Sequence, residues 1–348
     1  MTIRTPWPEL TVYARDAGEI DPYAPDSAPR FRGEEAFAQD VTGWRRWSKP
    51  SPEPRLDEAF KQLVLASIEL HRAPIAASAT RLAQAIQDAS PRPPVLIAIL
   101  RAGVPVAHLL SKLLADQYAA PIPVAAISLF QGLGWDEEAL RHVLATYPDA
   151  PVWFIDGWTS KGGVATELRH SYERWLAKGY PDFTNGKGPQ LGVLCDPGRF
   201  ASAAGLYADS FVPSSCFTAP ETLGFSRGFA ETETGMLSVY SFPHTFFVPE
   251  YITAWERVIS SPVTEVAPVF SEASPLEQVP STWRLHVNEV ARALINRMPR
   301  EIAFDSSEAE ARQLLAPVVY LAEARGVPLS FDCQRVRAWG AIAAARME

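Results

Sequence analysis

The chain has 348 residues, 47% hydrophobic and 21% charged, which fits two or three globular domains and excludes a disordered or fibrous chain. Its net charge of -8 gives no global reason to expect a nucleic-acid or membrane surface as partner. The three cysteines, Cys195, Cys216 and Cys333, are scattered without a CxxC pair, so neither a disulfide framework nor a zinc site is expected.

Residues 1–54 are rich in Pro, Asp and aromatics without a clear period. They read as an extended arm packed through Trp7, Tyr13, Phe31, Trp44 and Trp47, with a partly disordered tail as the competing reading for the first part. Arg45 and Arg46 read as a solvated face. No apolar signal core opens the chain and no run of about 18 uncharged apolar residues follows, so a cytoplasmic protein without a membrane span is expected. Leu56, Phe60, Leu63, Val64 and Ile68 recur at helical spacing, and a second helix carries Leu82 and Ile86. A strand over Val95–Ile99 runs into Leu100-Arg101-Ala102-Gly103, and a helix opens near Pro105. A strand from Val124 to Ser128 follows. The glycine-punctuated stretch Leu129–Trp135 reads as a mobile loop over a ligand, and Asp136 as a helix cap.

The most informative stretch is Val152 to Leu168. Val152–Ile155 is an apolar run bounded by Pro151, expected as a buried strand that ends at Asp156. Then come Thr159, Ser160, Lys161, Gly162, Gly163 and Val164, and a helix with Leu168, Tyr172, Trp175 and Leu176 on one face. Glycines bring backbone N–H groups close to an anion, and a helix start adds unpaired donors. A carboxylate at the strand end suits vicinal hydroxyls. Neither GxxxxGK[ST] nor GxGxxG is present, so a structural turn stays open beside phosphate binding. Farther on, a Gly/Pro/Asn loop spans 179–188, and the strand Leu191–Leu194 ends in Cys195-Asp196-Pro197-Gly198. Asp196 could read an acceptor or simply form the turn. Residues 216–246, with Cys216, Arg227 and His244, are poorly periodic.

These two Gly-containing turns, in this order and about fifty residues apart, resemble the pyrophosphate and phosphoribosyl-pyrophosphate (PRPP) loops of type I phosphoribosyltransferases. Gly157-Trp158-Thr159-Ser160-Lys161-Gly162 resembles the variant of a narrower StiP-type group associated with tellurite resistance and stress response. The resemblance implies an α/β parallel-sheet transferase fold over 55–260 and a PRPP-dependent transfer of ribose 5-phosphate to a nitrogen acceptor. It gives Asp156 the ribose hydroxyls and Thr159, Ser160, Lys161, Gly162, Gly163 and Val164 the 5′-phosphate. Pyrophosphate falls to Leu100, Arg101, Ala102 and Gly103, and Mg2+ arrives on PRPP. Asp196, Arg227 and Gln131 are the candidates for the acceptor. Gly157 stands where the common acid pair has its second member, which uracil-type relatives also lack, and Phe130-Gln131 where relatives tend to carry a basic residue. Two rival readings follow: a PRPP or nucleotide sensor without turnover, and a cysteine hydrolase using Cys216 with His244.

Residues 261–282 carry four prolines and scattered acids and read as a linker. Beyond them a helix with Val287, Val290, Leu294 and Ile295, a strand over Glu301–Phe304, a capping box at Ser307 and Glu310, a strand over Val327–Phe331 and a helix from Gln334 form a small α/β/α unit, 283–348. It resembles a pelota-type RNA-binding domain, which implies RNA as a partner. Its nine arginines face eight acids, a lukewarm balance in which Arg292, Arg297, Arg300, Arg335 and Arg337 could form a local patch. A protein-docking unit is the reading that charge alone favours, and a homodimer is common in the wider family.

Overall fold

A computed structural model describes residues 2–31, 55–130, 132–216, 218–228, 237–242, 247–260 and 275–347. Trp44, Trp47, Arg45, Arg46, Gln131, His244 and most of the expected linker lie outside these residues.

The described residues form a mixed α/β structure around a largely parallel sheet. The chain opens with β1 (Thr2–Arg4), β2 (Leu10–Tyr13) and β3 (Arg15–Glu19). Helices α1 (Glu58–Leu70) and α2 (Arg72–Ala89) lead to β4 (Val95–Ile99), α3 (Gly103–Tyr118) and β5 (Val124–Ile127). A short hairpin, β6 (Leu129–Phe130) and β7 (Gly134–Trp135), precedes α4 (Glu137–Thr146). Then come β8 (Val152–Trp158), α5 (Gly163–Ala177), β9 (Gln190–Cys195) and β10 (Ala203–Leu206). Three elements, α6 (Ala219–Thr222), β11 (Phe225–Arg227) and β12 (Ser238–Ser241), lead to α7 (Val248–Ile259).

The central sheet runs β1-β2-β5-β4-β8-β9-β10, and only β1 is antiparallel. Its strands read as continuous apolar runs because both faces are covered. In β4, Val95, Ile97 and Ile99 meet α4 and α5 on one face, while Leu96 and Ala98 join a second core with α1, α2, α3 and α7. The sequence reading of the N-terminal arm needs correcting. Trp7 and Tyr13 are buried as expected, but β1 and β2 form an edge of the central sheet, with Leu10–Val12 paired to Val124–Ala126 of β5.

The C-terminal module contains β13 (Trp283–Leu285), α8 (Val287–Asn296), β14 (Glu301–Phe304), α9 (Glu308–Leu314), α10 (Ala316–Ala324), β15 (Leu329–Ser330), α11 (Gln334–Ala338) and β16 (Ala343–Arg346). Ser307 and Glu310 make the expected capping box. β14 coincides with its expected strand, whereas β15 is shorter than Val327–Phe331, and β13 and β16 complete the sheet in the order β13-β16-β14-β15. Its apolar residues Val290, Leu294, Ile302 and Val318 join the same core as Phe60 and Ile68 of α1. Tyr320 donates to Asp57, the residue that caps α1, at 2.7 Å across this contact, so the module is seated on α1.

Candidate anion-binding site

β4 and β8 are parallel neighbours, with Ala98 opposite Ile155. Their carboxyl ends therefore release the Arg101 turn and the Lys161 loop side by side, where ligands gather in open α/β sheets. Both turns line one cavity of about 520 Å³. Leu100, Arg101, Ala102, Asp156, Thr159, Ser160, Lys161, Gly163, Val164 and Arg227, all singled out in the sequence, line it. Arg284, Glu289 and Arg292 of the C-terminal module line it too. In the sequence Arg292 was one member of a possible local patch on the C-terminal unit, and neither Arg284 nor Glu289 was singled out. For Glu289 and Arg292 the only signal was the polar face of an amphipathic helix, which says nothing of what that face meets, and Arg284 stands on β13 outside that helix.

Asp156 sits near the end of β8, which continues two residues beyond it, to Trp158. One oxygen accepts from the Gly157 N–H at 2.7 Å. Burial pushes its carboxyl up to about 7, opposed by the Gly157 N–H; Glu289 raises it further while Arg227 and Arg292 pull it down. Arg227 donates to the carbonyls of Leu100 (3.2 Å) and Leu129 (2.9 Å) and lies 4.3 Å over the Phe130 ring. Burial, with Arg292 beside it, lowers its guanidinium to about 10. Arg101 is depressed by burial and by the charges of Arg292 and Arg227. Like charges that weaken one another inside a cavity are relieved by an anion.

The other residues singled out in the sequence take different positions around the cavity. Gly103 does not line the cavity: a Cβ there would lie 2.1 Å from the Ile155 carbonyl oxygen, so this glycine lets α3 approach β8. Gly162 lies behind the loop at φ 72, against the Phe200 ring. Ser160 and Lys161, expected on a 5′-phosphate, are engaged by the C-terminal module. Ser160 Oγ lies 3.0 Å from the Leu285 carbonyl and 2.6 Å from His286 Nδ1, and Lys161 Nζ donates to the Trp283 carbonyl at 3.2 Å. Trp158 Nε1 donates to Glu289 at 3.0 Å. Burial and Lys161 push His286 down to about 3, so its imidazole is neutral at physiological pH. Asp196 is wholly buried away from the cavity, where it accepts from Ala201 N at 2.6 Å and closes its own turn. Gln131 lies outside the described residues. The expected mobile loop is the β6–β7 hairpin, tied to α5 where Gly132 N donates to Glu167 at 2.6 Å.

The thiols stand apart from the cavity lining. Cys216 is fully buried two residues beyond the lining residue Ser214, and burial pushes its thiol up to about 12. Cys195 is raised well above the usual thiol range by burial, with Asp209 adding to it. His244, the expected partner of Cys216, lies outside the described residues. Among the described residues, no group of three His, Cys, Asp or Glu side chains is arranged to hold a metal ion. None of their helices is long and apolar enough to cross a membrane.

Comparison with known proteins corrects the functional expectation. Residues 41–239 match the profile of the family described as tellurite-like stress resistance cysteine protease StiP. The cysteine protease StiP of Acinetobacter baylyi is 28% identical over 205 residues, covering 58% of this chain and 49% of that protein. The chain thus spans about half the length of this curated relative. A hypothetical protein from Neisseria gonorrhoeae with bound ppGpp is 18% identical over 35% of this chain and 66% of its own, at a TM-score of 0.25. The hypoxanthine phosphoribosyltransferase of Trypanosoma cruzi is 18% identical over 38% and 69%, also at 0.25. Similarity at that level carries no argument about activity, whereas the family and the curated relative are both described as cysteine proteases. The expected PRPP-dependent transfer of ribose 5-phosphate is therefore overturned, and what remains of the resemblance is its narrower part: the chain belongs to the StiP family of tellurite-like stress resistance proteins.

Proposed function

We propose that the site is a receptor for a phosphorylated ribose derivative, such as PRPP or a nucleotide, that it holds without turning over. One observation carries this reading: Arg101, Lys161, Arg227, Arg284 and Arg292 converge on one cavity with Asp156 among its walls. Guanidinium groups pair with phosphate oxygens in a fork, and a carboxylate accepts from sugar hydroxyls. Gly157 in place of a second acid, and the engagement of Ser160 and Lys161 by the module, favour holding over transfer. Magnesium, if it takes part, arrives on the ligand's phosphates. The test is calorimetric titration with PRPP, ribose 5-phosphate, nucleoside monophosphates and pyrophosphate, each with and without magnesium. Binding is expected to weaken at least about tenfold in Arg101→Ala and in Arg292→Ala. Absence of binding by all four, or binding indifferent to both substitutions, rejects the reading.

The family's description favours a second reading, a cysteine hydrolase acting through Cys216. Its support in the fold is the seat of Cys216 just behind Ser214, within reach of the Arg292 charge. A thiol held near 12 is almost wholly protonated at neutral pH and is a poor nucleophile, so this reading requires the Cys216 environment to change on substrate binding. Peptide hydrolysis by the purified chain that disappears in Cys216→Ala would establish it. Retention of that hydrolysis in Cys216→Ala would remove it.

A further inference from the structure

A second cavity, of about 630 Å³, opens at the opposite, amino end of the central sheet. Its floor is at Val152 and Trp153, where β8 begins, and Gln190 lines it at the start of β9. The Gly/Pro/Asn loop singled out in the sequence, 179–188, forms one wall, and the ends of α2 and α4 form the others. No part of the anion-binding site takes part in it.

Several polar groups of the walls are bonded internally. Asp182 accepts from the N–H and hydroxyl of Thr184, the Gly186 N–H and the Tyr172 hydroxyl, at 2.6–2.7 Å, and these bonds hold its carboxyl down at about 2. Trp175 Nε1 donates to the Pro181 carbonyl at 2.8 Å, and Trp153 Nε1 to Ser90 Oγ at 2.9 Å. The loop is thereby fixed, and the two indoles, their N–H groups already bonded, offer ring surface rather than donors. Tyr147, Tyr180 and Phe183 are half-buried in this wall.

The rim carries the opposite chemistry. Arg92, Arg141 and Lys187 line the cavity and are exposed. Arg92 donates to the carbonyl of Asp149 at 2.5 Å, which leaves its charge uncompensated by that contact. Arg141 pairs with Glu138 at 2.7 Å and lies 5.8 Å over the Tyr180 ring. Lys187 makes no ion pair among the described residues. Of the two lining carboxylates, Asp182 is consumed by its own loop, so cations outnumber available acids. The volume falls in the range of small-molecule sites, roughly 300–1,000 Å³. Fixed ring surfaces favour a planar partner, and an unbalanced cationic rim favours an anion.

We propose that this cavity binds a planar aromatic anion, with its ring among Tyr147, Tyr180 and Phe183 and its charge met by Arg92, Arg141 and Lys187. A nucleotide and an aromatic carboxylic acid share that chemistry, and the test separates them. The probe is 1-anilinonaphthalene-8-sulfonate, an aromatic sulfonate whose fluorescence rises on binding, titrated into the full-length protein. Saturable 1:1 binding is expected, weakened at least about tenfold in Arg92→Glu/Lys187→Glu and unchanged in Arg101→Ala. Both charge reversals are at exposed positions, and an unchanged melting temperature confirms that the variant is folded. Displacement by adenosine monophosphate assigns a nucleotide, and displacement by 4-hydroxybenzoate an aromatic acid. If neither displaces the probe, or the signal is lost in Arg101→Ala and kept in Arg92→Glu/Lys187→Glu, the proposal is overturned. Because the Arg101→Ala arm also reports on the anion-binding site, failure here is distinguishable from failure there.

Discussion

The two turns at the carboxyl end of the central sheet look alike in sequence and are held by different forces. The Arg101 turn is fixed by packing, since α3 comes so close to β8 that residue 103 has no room for a side chain. The Lys161 loop is fixed by hydrogen bonds from a module that begins over a hundred residues later. A glycine therefore means opposite things in the two places. Gly103 is required by its neighbour's backbone, whereas a Cβ at Gly163 would meet nothing within 4 Å.

The largest expected effect tests that contrast directly. Gly103→Ala drives a Cβ into a backbone oxygen that cannot swing aside, and should cost more than about 3 kcal/mol in urea unfolding. Gly163→Ala, at the first position of α5, should be neutral or stabilise by up to about 1 kcal/mol. Equal losses at both sites would mean that the turns are not held differently.

Asp156 gives the next effect, through pH. Its carboxyl is raised to about 7 in the folded protein from an ordinary value near 4, so the folded state keeps a proton that the unfolded chain has lost. Stability should fall as pH rises from about 4 through 7, by about 2 kcal/mol after solvent relaxation, and the penalty is complete above 7. Asp156→Asn should flatten this part of the melting-temperature profile. An unchanged slope would show that Asp156 is not the group responsible.

The smallest effect belongs to the Lys161 loop. Ser160→Ala removes a buried hydroxyl bonded to the module and should cost about 1 kcal/mol, and Lys161→Ala less, because its ammonium is more exposed. If Ser160→Ala were as damaging as Gly103→Ala, hydrogen bonding and packing would contribute equally to the two turns.

The sheet and both turns were legible because their signals are local. The apolar runs at Val95–Ile99 and Val152–Ile155 mark strands covered on both faces, and the glycines after them mark the helix starts. What local pattern could not convey was the destination of distant groups. Glu289 and Arg292 read as the polar side of a helix, and their meeting with Asp156 depends on how that helix seats on the sheet. β1 and β2 are short and lie among prolines, and β16 is mostly alanine, so their pairing is set by tertiary neighbours rather than by strand propensity. Asp196 shows a different case, a residue whose place at a strand end fitted an acceptor contact and a turn equally well and whose carboxylate serves its own turn.

The bond from Trp158 to Glu289 spans 131 positions of the chain. During synthesis the floor of the anion-binding cavity leaves the ribosome well before Arg284, Glu289 and Arg292, so the cavity can be completed only after α8 has been made, and until then Asp156 and the Arg101 turn face bulk water.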